Sequence, residues 1–333
     1  IKNKDFNLTA SGRLLVVAIG KCALEAAVSL ENILGSVLVS GVAVDVREDP
    51  SCPTIKIKCL TGDHPFPTER NVTATNEIKS LLTGLTEEDT VLVVVSGGGS
   101  TLLCQPNNFT CLDEKEIIKE LFAVGASIQE LNVIRKHLSS ARGGHLAATA
   151  YPAQVIGLIL SDVPGNDMGV VASGPTVYDN TTAADAVALF DKFKLAGKVG
   201  IRAQDFLETP KDKEKYSRVT NLMIVSNEVA LEAMAAKAKD LGFNPVIKAT
   251  DISGESLVAA ERFIKDLEEA PAKSCLLYGG ETIVTGAGSG SGGRAQEISL
   301  AGLAQITEDQ ILLPFASDGR DNSDVAGAIC DMI

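Results

Sequence analysis

The 333-residue chain lacks tryptophan, and aromatic residues make up only 4% of it. Its core must therefore be built from Val, Ile, Leu and Ala, which suits parallel strands covered by helices. Basic residues are also scarce, since 30 Lys and Arg stand against 43 Asp and Glu, for a net charge of −13. A nucleic-acid-binding protein needs a net basic face, so the charge argues against nucleic-acid partners. An anionic substrate would have to be bound by a local cluster of cations.

The chain also lacks paired cysteines and long apolar runs. Its seven cysteines are scattered and include no C-x-x-C, a spacing that fits neither a zinc site nor a disulfide framework. We expect reduced thiols in a cytoplasmic protein. The longest apolar runs, such as Leu14–Ile19 and Val91–Val95, are too short to span a bilayer, so we expect no membrane partner. Because the chain stops within a helical pattern at Ile333, we expect a C-terminal truncation.

Short apolar runs alternate with helical patterns. Strands are predicted at Leu14–Ile19, Val42–Val46, Ile55–Leu60, Val91–Val95, Val155–Leu160, Leu222–Val225, Val246–Ile247, Cys275–Tyr278 and Ile311–Phe315. Helices are predicted over Cys22–Leu34, Glu69–Leu82, much of 113–150, Ala183–Lys194, about Ile201–Leu207, Glu228–Leu241, Glu255–Glu268 and Ala295–Leu303. This alternation implies βαβ units, right-handed crossovers and a doubly wound, mostly parallel, Rossmann-like α/β fold.

Two domains are expected from the same pattern. We place the Rossmann-like α/β domain in residues 1–210 and a smaller, incomplete α/β domain in residues 219–333. The polar segment Thr209–Arg218 would be a solvated connection between them, and the boundary could be discontinuous.

Ligands of open parallel sheets bind beyond the carboxyl ends of the strands. In this sequence those ends carry small residues beside polar ones: Gly20-Lys21, Ser96-Gly97-Gly98-Gly99-Ser100, Ser161-Asp162, Ser226-Asn227, Gly279-Gly280-Glu281 and Ser317-Asp318-Gly319. Small residues let a ligand approach the backbone, and the helix that follows offers N–H groups to an anion. Residues 96–100 can form a phosphate-binding nest, with a plain strand-to-helix turn as the alternative.

Two cations, Lys21 and Arg294, are expected at the start of a helix, where the helix dipole disfavours a positive charge unless an anion lies nearby. A solvated side chain is the plainer interpretation of Lys21, and the residues around it do not match a Walker A loop. Arg294 follows the glycine-dense run 286–293, which could close over transferring phosphates. Within this run Gly288, Gly290 and Gly293 match the dinucleotide fingerprint, although a run so rich in glycine matches easily by chance.

Two further segments could bind an anion and a metal. Arg135 and Lys136 adjoin His137 in a helical pattern, which predicts either an anion site or a solvated basic face. Asp162 and Asp167 flank a Pro-Gly turn, which could hold Mg²⁺ or be an ordinary Asx-turn. Phosphoryl transfer needs such carboxylates and cations, and little covalent chemistry from the protein.

As an ordered set, these segments resemble the type-2 glycerate kinases, whose C-terminal domain is of the MOFRL type. The resemblance is carried by AIGK at 18–21, GDHPFP at 62–67, SGGGS at 96–100, LNVIRKHLS at 131–139, SDVPG at 161–165, ASGPT at 172–176, GGET at 279–282, GGRxQE at 292–297 and SDG at 317–319. The family's usual residues are replaced at Ala295, Asn166 and the turn Arg320-Asp321-Asn322.

The resemblance implies ATP-dependent phosphorylation of glycerate, at its 2-hydroxyl, in a cleft between two α/β domains, with Mg²⁺. Its motifs assign catalytic roles to Lys21, Arg294 and Asp162, and metal binding to Asp162, Glu281 and Asp318. Cofactor binding is expected at Ser96, Gly97, Gly98, Gly99, Ser100, Asn227, Gly290, Gly292 and Gly293, and glycerate binding at Asn132, Arg135 and Lys136. A homodimer is a possible assembly.

Two other functions stay open. An NAD(P)-dependent hydroxypyruvate reductase would bind its dinucleotide at Gly288–Gly293 and the ribose at Asp318. A non-catalytic protein would bind a sugar phosphate or a nucleotide in the nest at residues 96–100, without turnover.

Overall fold

The computed structural model describes residues 4–48, 52–286 and 290–332. The chain divides into two units, Ile1–Ser226 and Asn227–Ile333. Within the described residues, no helix combines the length and apolar composition that crossing a bilayer requires.

The first unit contains a six-stranded parallel sheet. Its strands are β1 (Leu14–Ile19), β2 (Leu38–Asp45), β3 (Ile57–Thr61), β4 (Thr90–Val95), β5 (Gln154–Leu160) and β6 (Val219–Val225). They lie in the order β3-β2-β1-β4-β5-β6, the arrangement of doubly wound sheets, so that the winding direction reverses between β1 and β4. The predicted α/β class is confirmed.

Helices cover both faces of this sheet. They are α1 (Ala23–Leu34), α2 (Glu69–Leu82), α3 (Gly99–Leu102), α4 (Cys111–Ala123), α5 (Ile128–His137), α6 (His145–Ala150) and α7 (Ala183–Lys192). Alternate residues of β1 point to opposite faces, so Val17 joins one core cluster and Val16 another. Both faces of the central strands are buried, which explains why those strands are apolar at every position.

The second unit is a smaller α/β unit. It has two parallel strands, β7 (Asn244–Ile252) and β8 (Ser274–Gly280), and the helices α8 (Asn227–Asp240), α9 (Ser256–Glu268) and α10 (Arg294–Gly302). Its core cluster includes Ala260, Phe263 and Ile298, which come from α9 and α10.

The boundary between the units differs from the predicted one. Strand β6 was expected in the second domain, but it pairs with β5 and completes the first sheet, so the first unit extends to Ser226. The segment Thr209–Arg218 also contributes to the first unit. Lys211 Nζ donates hydrogen bonds to the carbonyls of Asp179 and Thr181.

Two predicted elements do not form. The predicted helix Ile201–Leu207 contains only a 3₁₀ turn at Ala203–Asp205, because its apolar residues Ile201 and Phe206 instead pack into the core cluster of α4, α5 and α7. The predicted strand Ile311–Phe315 makes only isolated antiparallel bridges, since Pro314 has no N–H to donate to a ladder.

Candidate functional site

The ends of β1 and β4 are joined where the winding of the sheet reverses. The backbone N–H of Lys21 donates to the carbonyl of Gly97 at 2.9 Å, and that of Ser96 donates to the carbonyl of Ile19 at 2.9 Å. Gly20 has φ +118°, and a Cβ placed there would lie 2.1 Å from Ser96 Oγ, so no other residue fits. The turn that carries Lys21 and the predicted phosphate nest at residues 96–100 are therefore hydrogen-bonded to each other.

Lys21 lies in the turn before α1, whereas the sequence predicted it as the beginning of the helix. The helix starts at Ala23, and the amide of Leu24 in its first turn donates to the buried carboxylate of Asp45 at 3.1 Å. Arg47 pairs with that carboxylate and donates to the Lys21 carbonyl at 3.3 Å. This network fixes the backbone that carries Lys21.

Residues 96–100 form a turn between β4 and α3. Gly98 adopts the left-handed conformation with φ +82°, and the amide of Gly99 donates to the carbonyl of Ser96 at 3.3 Å. A left-handed residue between a strand and a helix is compatible with an anion-binding nest. The turn is thus suited to a phosphate, and its role in cofactor binding stays a prediction.

Three side chains lie around this glycine turn, those of Asp162, His64 and Lys21. A Cβ on Gly97 would lie 1.9 Å from Oδ2 of Asp162. A Cβ on Gly98 would lie 3.3 Å from Cγ of Lys21 and 3.5 Å from Cδ2 of His64. Carboxylate, imidazole and ammonium-bearing side chains therefore meet at two adjacent glycines.

His64 also belongs to this cluster, although the sequence pattern predicts no role for it. Partial burial lowers its pKa, and the positive charges of Lys21 and Arg135 lower it further. The imidazole is therefore neutral at pH 7. Its only sequence signal is its place in the segment GDHPFP at 62–67.

Asn132 is connected to the turn through Ser173. The Ser173 hydroxyl donates to Oδ1 of Asn132 at 2.6 Å and lies 2.9 Å from Oγ of Ser100. Ala172 and Ser173 have φ of +50° and +59°, and a Cβ on Gly99 would lie 2.6 Å from Cβ of Ala172. Such strained backbone at non-glycine residues concentrates at functional sites.

Arg135 and Lys136 differ sharply in their surroundings. Nε of Arg135 is buried without a hydrogen-bond partner among the described residues, and burial lowers the pKa of this guanidinium to about 10, which leaves it charged at pH 7. Lys136 Nζ instead pairs with the buried carboxylate of Asp179 at 3.0 Å. The alternative of a solvated basic face is therefore wrong, while the glycerate-binding roles of both residues stay predictions.

In the second unit, Arg294 begins α10 and pairs through Nη2 with Oε1 of Glu281 at 2.8 Å. The first amides of this helix are already bound, because the buried carboxylate of Asp321 accepts hydrogen bonds from Ala295 at 3.1 Å and Gln296 at 2.7 Å. In the sequence, Asp321 stands out only as a departure from the family pattern.

The remaining predicted residues of the second unit lie at the start of α8 and in its loops. Asn227 Nδ2 donates to the carbonyl of Thr250 at 2.6 Å, and a Cβ on Gly279 would meet its Oδ1 at 2.1 Å. Asp318 Oδ1 accepts from the amide of Arg320 at 3.2 Å, as in an Asx-turn. Gly290, Gly292 and Gly293 are described, whereas Gly288 lies outside the described residues.

No group of three or more His, Cys, Asp and Glu side chains suited to a metal occurs within residues 4–48, 52–286 and 290–332. This does not conflict with magnesium, which is usually held by one or two carboxylates together with waters and substrate phosphates. Asp162 offers such a carboxylate beside the glycine turn. The metal-binding roles of Asp162, Glu281 and Asp318 stay predictions.

Known proteins resemble the chain along nearly its whole length. Residues 1–208 match the family described as "Domain of unknown function (DUF4147)", and residues 274–333 match the MOFRL family. A D-glycerate 2-kinase of Thermotoga maritima is 34% identical over 331 residues, which cover 96% of this chain and 78% of that protein. An Agrobacterium vitis protein, named as a candidate hydroxypyruvate reductase, is 37% identical over 334 residues, which cover 96% of this chain and 75% of that protein.

The similarity extends to three dimensions. The crystal structure of a glycerate kinase from Thermotoga maritima matches with a TM-score of 0.88 and 32% identity, covering 97% of this chain and 80% of that one.

Proposed function

The chain belongs to the glycerate kinase family, which combines DUF4147 and MOFRL domains, and from this premise we propose that it transfers the γ-phosphoryl group of ATP to D-glycerate. Enzymes of this family are phosphotransferases. The product that we propose is 2-phosphoglycerate. The observation that carries the proposal is the meeting of Lys21 and Asp162 at the turn 96–100, where the sheet reverses its winding.

Each group of this cluster has a part in phosphoryl transfer. Backbone amides of the turn 96–100 hold phosphate oxygens, and Lys21 neutralises the charge that develops on the transferred group. Magnesium, when bound, supplies further neutralisation of the phosphates, and Asp162 is the carboxylate that we place beside it. Asp162 and Asp318 are both candidates to accept the proton of the glycerate hydroxyl.

Glycerate itself carries a carboxylate that needs a cation. The Arg135 guanidinium suits this role because its buried Nε has no hydrogen-bond partner in the part of the chain that the structure describes, and a charge-assisted hydrogen bond to glycerate would satisfy this donor. Asn132 is held beside the turn 96–100 through Ser173 and would position the substrate hydroxyls.

The second unit would contribute Arg294. Its pairing with Glu281 at 2.8 Å holds the guanidinium at the start of α10. We place the active site in a cleft between the two units, with Arg294 as the second cation that faces the transferring phosphoryl group. Glu281 and Asp318 are the further metal ligands of this proposal.

Hydroxypyruvate reduction is the second candidate, favoured by the name of the Agrobacterium relative. A dinucleotide site needs free amides at the start of the helix that follows the glycine run. Here the carboxylate of Asp321 already accepts from the amides of Ala295 and Gln296, and a pyrophosphate would face that negative charge. The hydrogen bonds of Asp321 therefore favour phosphoryl transfer over hydroxypyruvate reduction as the function of the chain.

The experiment is a paired assay of the purified chain. With Mg-ATP and D-glycerate, ADP release is followed by a coupled assay, and the product is identified by phosphorus NMR. We expect glycerate-dependent ADP release and 2-phosphoglycerate. NAD(P)H oxidation with hydroxypyruvate, in the absence of ADP release, would make the reductase the better proposal, and ATP binding without turnover would favour a non-catalytic binding protein.

A further inference from the structure

Two cysteine side chains of the first unit are in contact. Sγ of Cys52 lies 2.7 Å from Sγ of Cys59, compared with about 2.05 Å in a disulfide bond. Cys59 belongs to β3, the strand at the edge of the sheet, and Cys52 lies in the segment that precedes it. The spacing of the cysteines in the sequence gave no indication of this pair.

The backbone between the two cysteines is anchored. The carboxylate of Glu31 on α1 accepts hydrogen bonds from the amides of Ile55, Lys56 and Ile57 at 2.7, 3.0 and 3.1 Å. The hydroxyl of Thr54 donates to the carbonyl of Ile57 at 2.8 Å. The sulfur atoms are therefore held together by the fold, and bond formation requires little further ordering.

Partial exposure distinguishes the two cysteines of this pair from the buried cysteines. Cys52 and Cys59 are partly exposed, whereas Cys104, Cys111 and Cys330 are buried. Burial and the adjacent Cys52 sulfur raise the pKa of Cys59 to about 11, so that its thiolate is scarce at neutral pH. At neutral pH Cys59 therefore attacks an oxidant slowly, because the thiolate is the nucleophile.

We propose that Cys52 and Cys59 are an oxidation site at which a peroxide forms a reversible disulfide that ties β3 to the segment before it. One thiol attacks the peroxide O–O bond, which gives a sulfenic acid and one water. The second thiol attacks the sulfenic sulfur and expels a second water, so two thiols lose two hydrogens and hydrogen peroxide is reduced to two waters. A thiol reductant returns both cysteines to the reduced form.

The test is peptide mapping of the full chain by mass spectrometry after treatment with hydrogen peroxide. We expect one cross-linked peptide that contains Cys52 and Cys59, its loss with dithiothreitol, and a Tm that is higher by about 5 °C in the oxidised protein. The matched control Cys275→Ser, which removes a partly exposed cysteine of the second unit, should form the same cross-link. Cys52→Ser should abolish both the cross-link and the rise in Tm.

Two results would overturn the proposal. The first is that, under conditions that oxidise Cys275, Cys52 and Cys59 are oxidised separately and no cross-linked peptide forms. The other is pairing of Cys59 with a different cysteine. Because the readouts involve neither glycerate nor ATP, their outcome does not depend on the kinase activity.

Discussion

The Gly97→Ala substitution tests whether the position of Asp162 matters for catalysis. The new Cβ would lie 1.9 Å from Asp162 Oδ2, and Cβ atoms essentially never approach such neighbours closer than 3.0 Å, so the carboxylate must retreat by about 1 Å. Gly97 lies outside the left-handed region of φ, so its backbone accepts alanine without strain. A misplacement of about 1 Å of a reacting group can reduce the rate about 100-fold.

We therefore expect kcat for glycerate phosphorylation to fall about 100-fold in Gly97→Ala, because the new Cβ displaces the Asp162 carboxylate. The control is Gly84→Ala, at φ +72° with no atom within 4 Å. It should lose about 1 kcal/mol of stability through backbone strain and keep its kcat. A Gly97→Ala enzyme with wild-type kcat would refute the catalytic placement of Asp162.

Three further predictions concern other parts of the chain. Arg294→Ala should lower kcat by a factor of about 100 or more, because it removes a cation from the transition state, and a near-wild-type rate in steady-state assays would exclude that role. Asp321→Ala should reduce the free energy of unfolding by about 1–2 kcal/mol through loss of the cap on α10, whereas urea titrations of the exposed control Asp324→Ala should match the wild type. Burial lowers the pKa of His145 to about 4, so the folded state resists protonation, and stability should fall as the pH drops from about 6.5 towards 4. The stability difference between the wild type and His145→Gln should change by about 3 kcal/mol across that window, and a constant difference would contradict the pKa.

The sequence predicted the first sheet well because burial on both faces leaves a local signal. Val91–Val95 is apolar at every position, and the structure buries each residue of β4. The predictions that were wrong concern elements whose place in the fold depends on non-local contacts. Val219–Val225 joins the first sheet through its pairing with β5, and no local pattern distinguishes that partner from a strand of a second domain.

For the candidate site, too, the sequence predicted some of the neighbouring residues and missed others. Small residues after apolar strands located Lys21, Asp162 and the turn 96–100, because parallel strands end at a common edge. The pattern could not reveal that Asp321 caps a helix about 25 positions earlier, nor that His64 faces Gly98. Both contacts depend on loops whose paths are set by tertiary packing.

The most direct test of the central claim is a single-turnover measurement of phosphoryl transfer from ATP to D-glycerate in the Lys21→Ala variant. With Lys21 at the glycine turn, we expect the rate to fall by a factor of about 100 or more, while Lys58→Ala, which removes an exposed lysine paired with Glu77, keeps the wild-type rate. Equal rates in Lys21→Ala and the wild type would contradict the claim that the end of β1 carries the catalytic cation.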